Sequence, residues 1–265
     1  MLAALCAART AVAAPQLTVN GSVATEDEEL VVSVQVDNHG DVAVSTLVIH
    51  GELLGRHDEV EKAKGVAARS WTEAELRFPD EVSRPGVHVV ALRLDYQTQA
   101  KGAWSSQAAY LLLALGANPP AAVRVSVGEV TVETRGRVPV ALESADGRPH
   151  IARLRLLTPK GLNPFGEAPD VSVPAQGRVS ASLEVLRGSA SRDTKYGILV
   201  AASTLDGEQQ TSAVAEGAIV VAPDPAVMPR LRLPLTLLSI GLLLAATAVE
   251  LRRRWPRDEA SPGGP

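Results

Sequence analysis

"VQVDNHGDVAVSTLVI", residues 34–49, sets two aspartates, an asparagine and a histidine into five consecutive positions, Asp37 to Asp41. On either side lie runs in which apolar and polar residues alternate. Upstream, ELVVSVQVDN (29–38) places Leu30, Val32, Val34 and Val36 on one face and Val31, Ser33, Gln35 and Asp37 on the other. Downstream, DVAVSTLVIHGEL (41–53) continues the alternation. Period two on both sides of a short polar stretch reads as strand, turn, strand. Asparagine and aspartate accept positive φ in such a corner, and Gly40 does so without penalty. A calcium loop is the competing reading, but it needs about six oxygens, with acids spaced at alternate positions. Asp37 and Asp41 are the only acids in the stretch, and no second acidic cluster is at hand to complete a shell. The five residues are therefore expected to form a corner, and no metal ligands are assigned.

Working outward, the same period recurs. RSWTEAELRF (69–78) alternates Trp71, Glu73 and Glu75 against Thr72, Ala74 and Leu76, and GVHVVALRLDY (86–96) sets Val87, Val89 and Ala91 against a mixed face. Strand-length runs separated by turns about every 8–12 residues indicate an antiparallel sandwich. LGANPPAAV (115–123) interrupts the pattern, which then restarts. RVPVALESADGRPHIARLRLLTP (137–159) parallels the first hairpin region, and residues 177–221 parallel the Trp71–Leu115 stretch, with a terminal hairpin at Asp206-Gly207. Only HDEVEKAKGVAA (57–68) leaves room for a short helical or loop excursion. The predicted fold class is all-β: two tandem immunoglobulin-like β-sandwiches, residues 15–115 and 123–221, joined by a proline-rich linker at 116–122.

The order strand, VDNHG turn, LVIHGEL strand, polar connection, RSWTEAELRF and RPGVHVVALRLDY resembles the immunoglobulin-like modules of bacterial surface proteins, in particular CARDB and NEW3-type domains. That family's Asn-x-Gly turn corresponds to Asn38-His39-Gly40, and its late Gly-x-(aromatic or His) opening to Gly86-Val87-His88. The second module departs from the pattern, with Ser144-Ala145-Asp146-Gly147 at the turn and TKYGILV (194–200) as the late strand. The resemblance implies a fold and an envelope setting, and no chemistry.

Bulk composition narrows the classes. The formal net charge is −4, yet the tail from Arg230 onward carries +3; setting aside that tail and Arg9 leaves residues 15–229 at −8. So acidic a body repels phosphate backbones, and nucleic acid is not an expected partner. Cys6 is the only cysteine, which rules out a disulfide framework and a cysteine-based zinc site.

Both ends carry membrane signals. MLAALCAARTAVAAP (1–15) reaches the small-x-small pattern Ala11-Val12-Ala13, and residues 1–14 are expected to be a signal peptide. From Leu233 to Val249 run seventeen residues without a charge. As a helix they span roughly 26 Å, enough for a bilayer core once flanking leucines are added. A transmembrane helix is therefore predicted over 231–251, preceded by a stalk at 222–230 containing APDPAVMP. Arg252, Arg253, Arg254 and Trp255 form its stop-transfer flank, and 252–265 a short cytoplasmic tail. The expected location is the bacterial cytoplasmic membrane, single-pass, with the folded part in the periplasm or outside.

Candidate chemistry is sparse. His50 and His57 lie too far apart for the i, i+4 helical zinc pair, and His39, His88 and His150 are scattered. There is no G-x-S-x-G elbow and no phosphate loop. The adjacent carboxylates Glu28-Glu29, Asp58-Glu59 and Asp80-Glu81 point to opposite faces of an extended chain and define no acid/base pair. No catalytic residue, cofactor or small-molecule substrate is assigned. The expected role is a non-enzymatic structural or protein-interaction module whose partner is another envelope protein, as in an export, adhesion or assembly complex. The alternative is a membrane-tethered glycan-binding module, with Trp71 and Trp104 as its stacking platforms.

Overall fold

The computed structural model describes residues 15–27, 29–62, 64–79, 84–223, 237–238 and 240–250. Three strands, β1 (Leu17–Glu26), β2 (Glu29–Asn38) and β5 (Ser70–Pro79), form one antiparallel sheet with β2 in the middle. Facing it are β3 (Thr46–Leu53), β4 (Arg56–Lys62), β6 (Gly86–Gln97) and β7 (Ser105–Leu115), in the order β7-β6-β3-β4. Leu30, Val32, Val34 and Val36 all point into the space between the sheets, where they meet Ala74, Leu76 and Phe78 of β5 and Ile49 and Leu94 of the facing sheet. Three strands against four, with the hairpin β3–β4 outermost, is the strand arrangement of an immunoglobulin-like sandwich.

The second half repeats the plan. Strands β8 (Val123–Val127), β10 (Arg135–Ser144), β12 (Leu162–Phe165) and β14 (Arg178–Arg187) form one sheet, ordered β12-β14-β10-β8. Opposite lie β11 (His150–Leu157), β13 (Asp170–Val173), β15 (Thr194–Asp206) and β16 (Gln209–Val221), ordered β13-β11-β15-β16; β9 (Glu129–Val132) adds to β16 in parallel. A second core forms between them around Val140, Leu142, Leu154, Val185, Val200 and Ile219. The hairpin expected at Asp206-Gly207 joins β15 to β16, with Gly207 at φ 62°.

The segment 57–68, expected to make a helical or loop excursion, begins as strand: residues 57–62 belong to β4, which pairs with β3 from Leu47↔Lys62 to Leu53↔Arg56. Leu54 and Gly55 turn the corner, both at positive φ (51° and 81°), the geometry that matches a two-residue hairpin to strand twist. The dense charge of HDEVEK fits a strand at a sheet edge, where both faces and one flank meet water.

The two sandwiches touch. Ala91, Leu157 and Leu199 form a small third cluster between them, with Val89, Ala108, Tyr110 and Val214 around it. Where β3 ends, β16 takes its place beside β6: Gln210 pairs with Gly86 in parallel, Gln210 N–H donates to Pro85 O at 3.0 Å, and Ser212 Oγ donates to Val87 O at 2.8 Å. Gly86 sits at φ 135°, and a Cβ there would lie 2.1 Å from Gln210 O. The connection at 116–122 is tied down at its end, Ala122 N–H donating to Thr211 Oγ1 at 3.2 Å.

Among the described residues, those up to Ala222 form one compact unit and those from Pro223 another. In the latter, residues 237–238 and 240–250 are helical. They fall inside the predicted span 231–251, whose residues 231–236, 239 and 251 lie outside the described residues. Among the described residues no helix is long and apolar enough to cross a membrane. The predicted signal peptide at 1–14, the stalk from 224 to 230, and the flank Arg252, Arg253, Arg254 and Trp255 with the rest of the tail also lie outside the described residues.

Candidate functional site

The corner at Asp37–Asp41 is organised by Asn38, which is 1% exposed. Its Nδ2 donates to Val42 O at 2.8 Å and Ala67 O at 3.1 Å, and its Oδ1 accepts from Gly40 N–H at 3.1 Å. The acids on either side are engaged elsewhere. Asp37 accepts from Asn20 Nδ2 and Gln35 Nε2, while Asp41 pairs with the Arg69 guanidinium at 2.7 Å. His39 Nε2 lies 2.9 Å from Thr18 Oγ1. Each side chain thus ties the β2–β3 connection to a neighbouring strand or loop, and the carboxylates do not converge.

His50 and His57, seven residues apart in sequence, are brought onto one hairpin by strand register. In β3 and β4, His50 stands opposite Glu59 and Glu52 opposite His57. His50 Nδ1 lies 2.9 Å from Glu59 Oε2 and its Nε2 3.1 Å from Asp95 Oδ2 on β6; Arg93 Nε is 3.2 Å from the same Asp95 oxygen. Glu52 pairs with His57 at 3.7 Å and with Arg155, which comes from the second sandwich. This charged network borders a cleft of ≈ 220 Å³ between the sandwiches, lined also by Leu92, Leu157, Thr158 and Pro164. Glu59 and Asp95 meet opposite nitrogens of the His50 ring, so they flank the imidazole instead of enclosing a common point where an ion would sit. Asp95 is nearly buried, and its Oδ1 has no hydrogen-bond partner among the described residues. Single-residue scanning misses this network. Its two cross-strand pairs follow from the register of the hairpin about Leu54-Gly55, but Asp95 and Arg155 come from farther along the chain.

The two platform candidates occupy different sheets. Trp71 lies on the outer face of β5, 57% exposed and opposite Asp37 of β2. Trp104 lies in the connection between β6 and β7, 48% exposed. Neither is core. No ring contact or hydrogen bond joins them among the described residues.

A groove absent from the sequence reading runs beside β7. One part, of ≈ 460 Å³, is lined by the consecutive residues Leu17 to Gly21 of β1 and Gln107 to Leu112 of β7, with Leu199 and Glu216 from the second sandwich. The adjoining part, of ≈ 690 Å³, is lined by Tyr96, Ser105 to Ala108, Thr194 to Leu199 and Glu216. A cleft over a sheet face touches alternate residues of a strand; lining by consecutive residues marks a strand's edge. Burial raises the pKa of the Tyr96 hydroxyl at one end of this groove, with the Ser105 hydrogen bond opposing it. Lys195 is paired with Glu129, whereas Glu216 has no ion-pair partner among the described residues.

No family model and no curated protein matches the chain. Among solved structures, 78% of the chain is similar to 31% of a transglutaminase from red sea bream, at 16% identity and a TM-score of 0.26. The same share is similar to 17% of α2-macroglobulin from E. coli in its native conformation, at 11% identity and a TM-score of 0.30. It is similar also to 99% of a protein of unknown function from Porphyromonas gingivalis W83, at 14% identity and a TM-score of 0.29. The chain thus spans less than a third of the first two proteins. At TM-scores this low the likenesses carry nothing about activity or partners.

Proposed function

We propose that this chain is a non-enzymatic interaction module of the bacterial envelope, held by its carboxyl-terminal segment 231–251 with its paired sandwiches outside the cytoplasm. The membrane placement rests on the charge-free run Leu233–Val249 and the arginines after it. The interaction role rests on one observation: β7 is an edge strand of eleven residues, SSQAAYLLLAL, without a charge or a proline. Long uncharged edges invite strand pairing, and proteins that do not use them usually blunt them. Cross-linking in intact membranes followed by affinity purification of the full chain tests the reading. A specific envelope partner, recovered in stoichiometric amounts, is the expected outcome; recovery of nothing above a mock-tagged control sinks it.

The second reading, a membrane-tethered glycan-binding module, is favoured by the exposed Trp71 indole beside the polar group of Asp37, Gln35 and Asn20. A glycan array probed with the detergent-solubilised protein, and with Trp71→Ala and Trp104→Ala, separates the two. Binding that disappears with either tryptophan favours the glycan reading.

A further inference from the structure

We infer that the groove beside β7 is a strand-addition site for an extended segment of a partner protein, apolar at alternate positions and carrying a lysine or arginine that meets Glu216. The inference rests on the interaction-module reading and specifies its surface. It starts from the edges themselves. Among the described residues, β4 is crowded with charge, β5 carries Glu73, Glu75 and Arg77, β12 contains Pro164, and β8, β9 and β13 are short with a charge each. β1 ends in Glu26. β7 alone has neither charge nor proline, and its one ladder partner is β6. Eleven residues at about 3.3 Å each give roughly 36 Å of edge with a row of outward backbone N–H and C=O groups.

The surroundings suit an extended segment. On one side stands β1, whose Leu17 C=O accepts from Gln107 Nε2 at 3.0 Å. On the other stand Ile198 and Leu199 of β15 and Glu216 of β16. A strand added to β7 would satisfy the open ladder, and its alternate side chains would face Leu112, 47% exposed, and the rim of the inter-sandwich cluster at Leu199, itself 6% exposed. Among the described residues the only charge in the lining without a pair is Glu216, so complementarity asks for one cation, and an acid there meets repulsion.

The probe is the fluorescein-labelled peptide Thr-Val-Thr-Val-Thr-Lys-Thr-Val-Thr, whose lysine shares a face with the valines as Glu216 does with Leu199, with two controls: the same peptide with glutamate in place of lysine, and a version N-methylated at alternate residues. Titrated against the full-length protein in detergent, the lysine peptide is expected to bind saturably and the N-methylated one not to bind. Hydrogen–deuterium exchange is expected to show new protection in Ser105–Leu115, and Glu216→Gln to shrink the lysine-over-glutamate preference by about threefold. Absence of binding overturns the inference, as does protection that maps to β4, β5 or elsewhere. Protection of β7 that grows with protein concentration alone, alongside a doubled mass in sedimentation, also overturns it, because the occupant is then a second copy. If the peptide fails while membrane cross-linking still recovers a specific partner, only the groove assignment falls; if both fail, the module reading falls with it.

Discussion

Asn38 and His88 are two buried polar residues whose roles differ. Asn38 satisfies three backbone groups at a corner, so Asn38→Ala leaves Val42 O, Ala67 O and Gly40 N–H without their partner. The expected loss is about 2–3 kcal/mol, read from the urea midpoint, with Asn38→Asp recovering only the Gly40 contact. His88 is 1% exposed, with Nε2 3.0 Å from Arg84 O and Nδ1 without a partner among the described residues. Burial holds its pKa below 6.5, the Arg84 carbonyl opposing that shift. An unfolded chain therefore takes up a proton at a pH where the folded one does not. The contribution of His88 is complete above the unfolded value and is lost as pH falls below it. The fall in urea midpoint between about pH 7.5 and about pH 5.5 should shrink in His88→Gln; an unchanged slope would remove His88 from the explanation.

At the scale of elements, alternation is a faithful guide wherever one face of a strand meets water. In β5, Trp71, Glu73, Glu75 and Arg77 are exposed while Ala74, Leu76 and Phe78 are buried, as RSWTEAELRF leads one to expect. The pattern blurs in β6 and β15, which are covered on both faces. Val90, Leu92 and Leu94 enter the first core and Ala91 the inter-sandwich cluster; Ile198 and Val200 enter the second core and Leu199 that same cluster. The continuous runs VVAL (89–92) and ILVAA (198–202) were the available signal, since two-sided burial removes the polar half of the alternation. A charge at Leu199 tests this. On a solvent face Leu199→Glu would be nearly silent; at the cluster it is expected to cost about 2–4 kcal/mol, with calorimetry resolving two transitions in place of one as the sandwiches melt separately.

For the whole molecule, the question is what holds one sandwich on the other. The cluster is small, and the polar contacts meet at Gly86, where no side chain fits against Gln210 O. Gly86→Ala is therefore expected to open the junction at a cost of about 1–3 kcal/mol while leaving both cores folded. Small-angle scattering should register a larger radius of gyration, and proteolysis new cleavage within 116–122. The proposed anchor makes its own prediction at this scale: the chain stays in the pellet after carbonate washing, and a reporter fused after Pro265 is active on the cytoplasmic side.

Residues 34–49 illustrate where local reading suffices and where it stops. A strand's period, a turn's need for asparagine or glycine, and a hairpin at Asp206-Gly207 are dictated by neighbours along the chain, so the sequence alone determined an all-β molecule with its corners. Which faces are covered twice, which edge stays open, and which charges meet depend on surfaces far apart in the chain. His50 meets Asp95 across forty-five residues, Ser212 meets Val87 across 125, and β7, paired with β6 on one flank, keeps the other open because the second sandwich docks over its face and not along its edge. Pairing energies of that kind act only once the sheets are stacked, which is why the tertiary structure, and no window of residues, decided them.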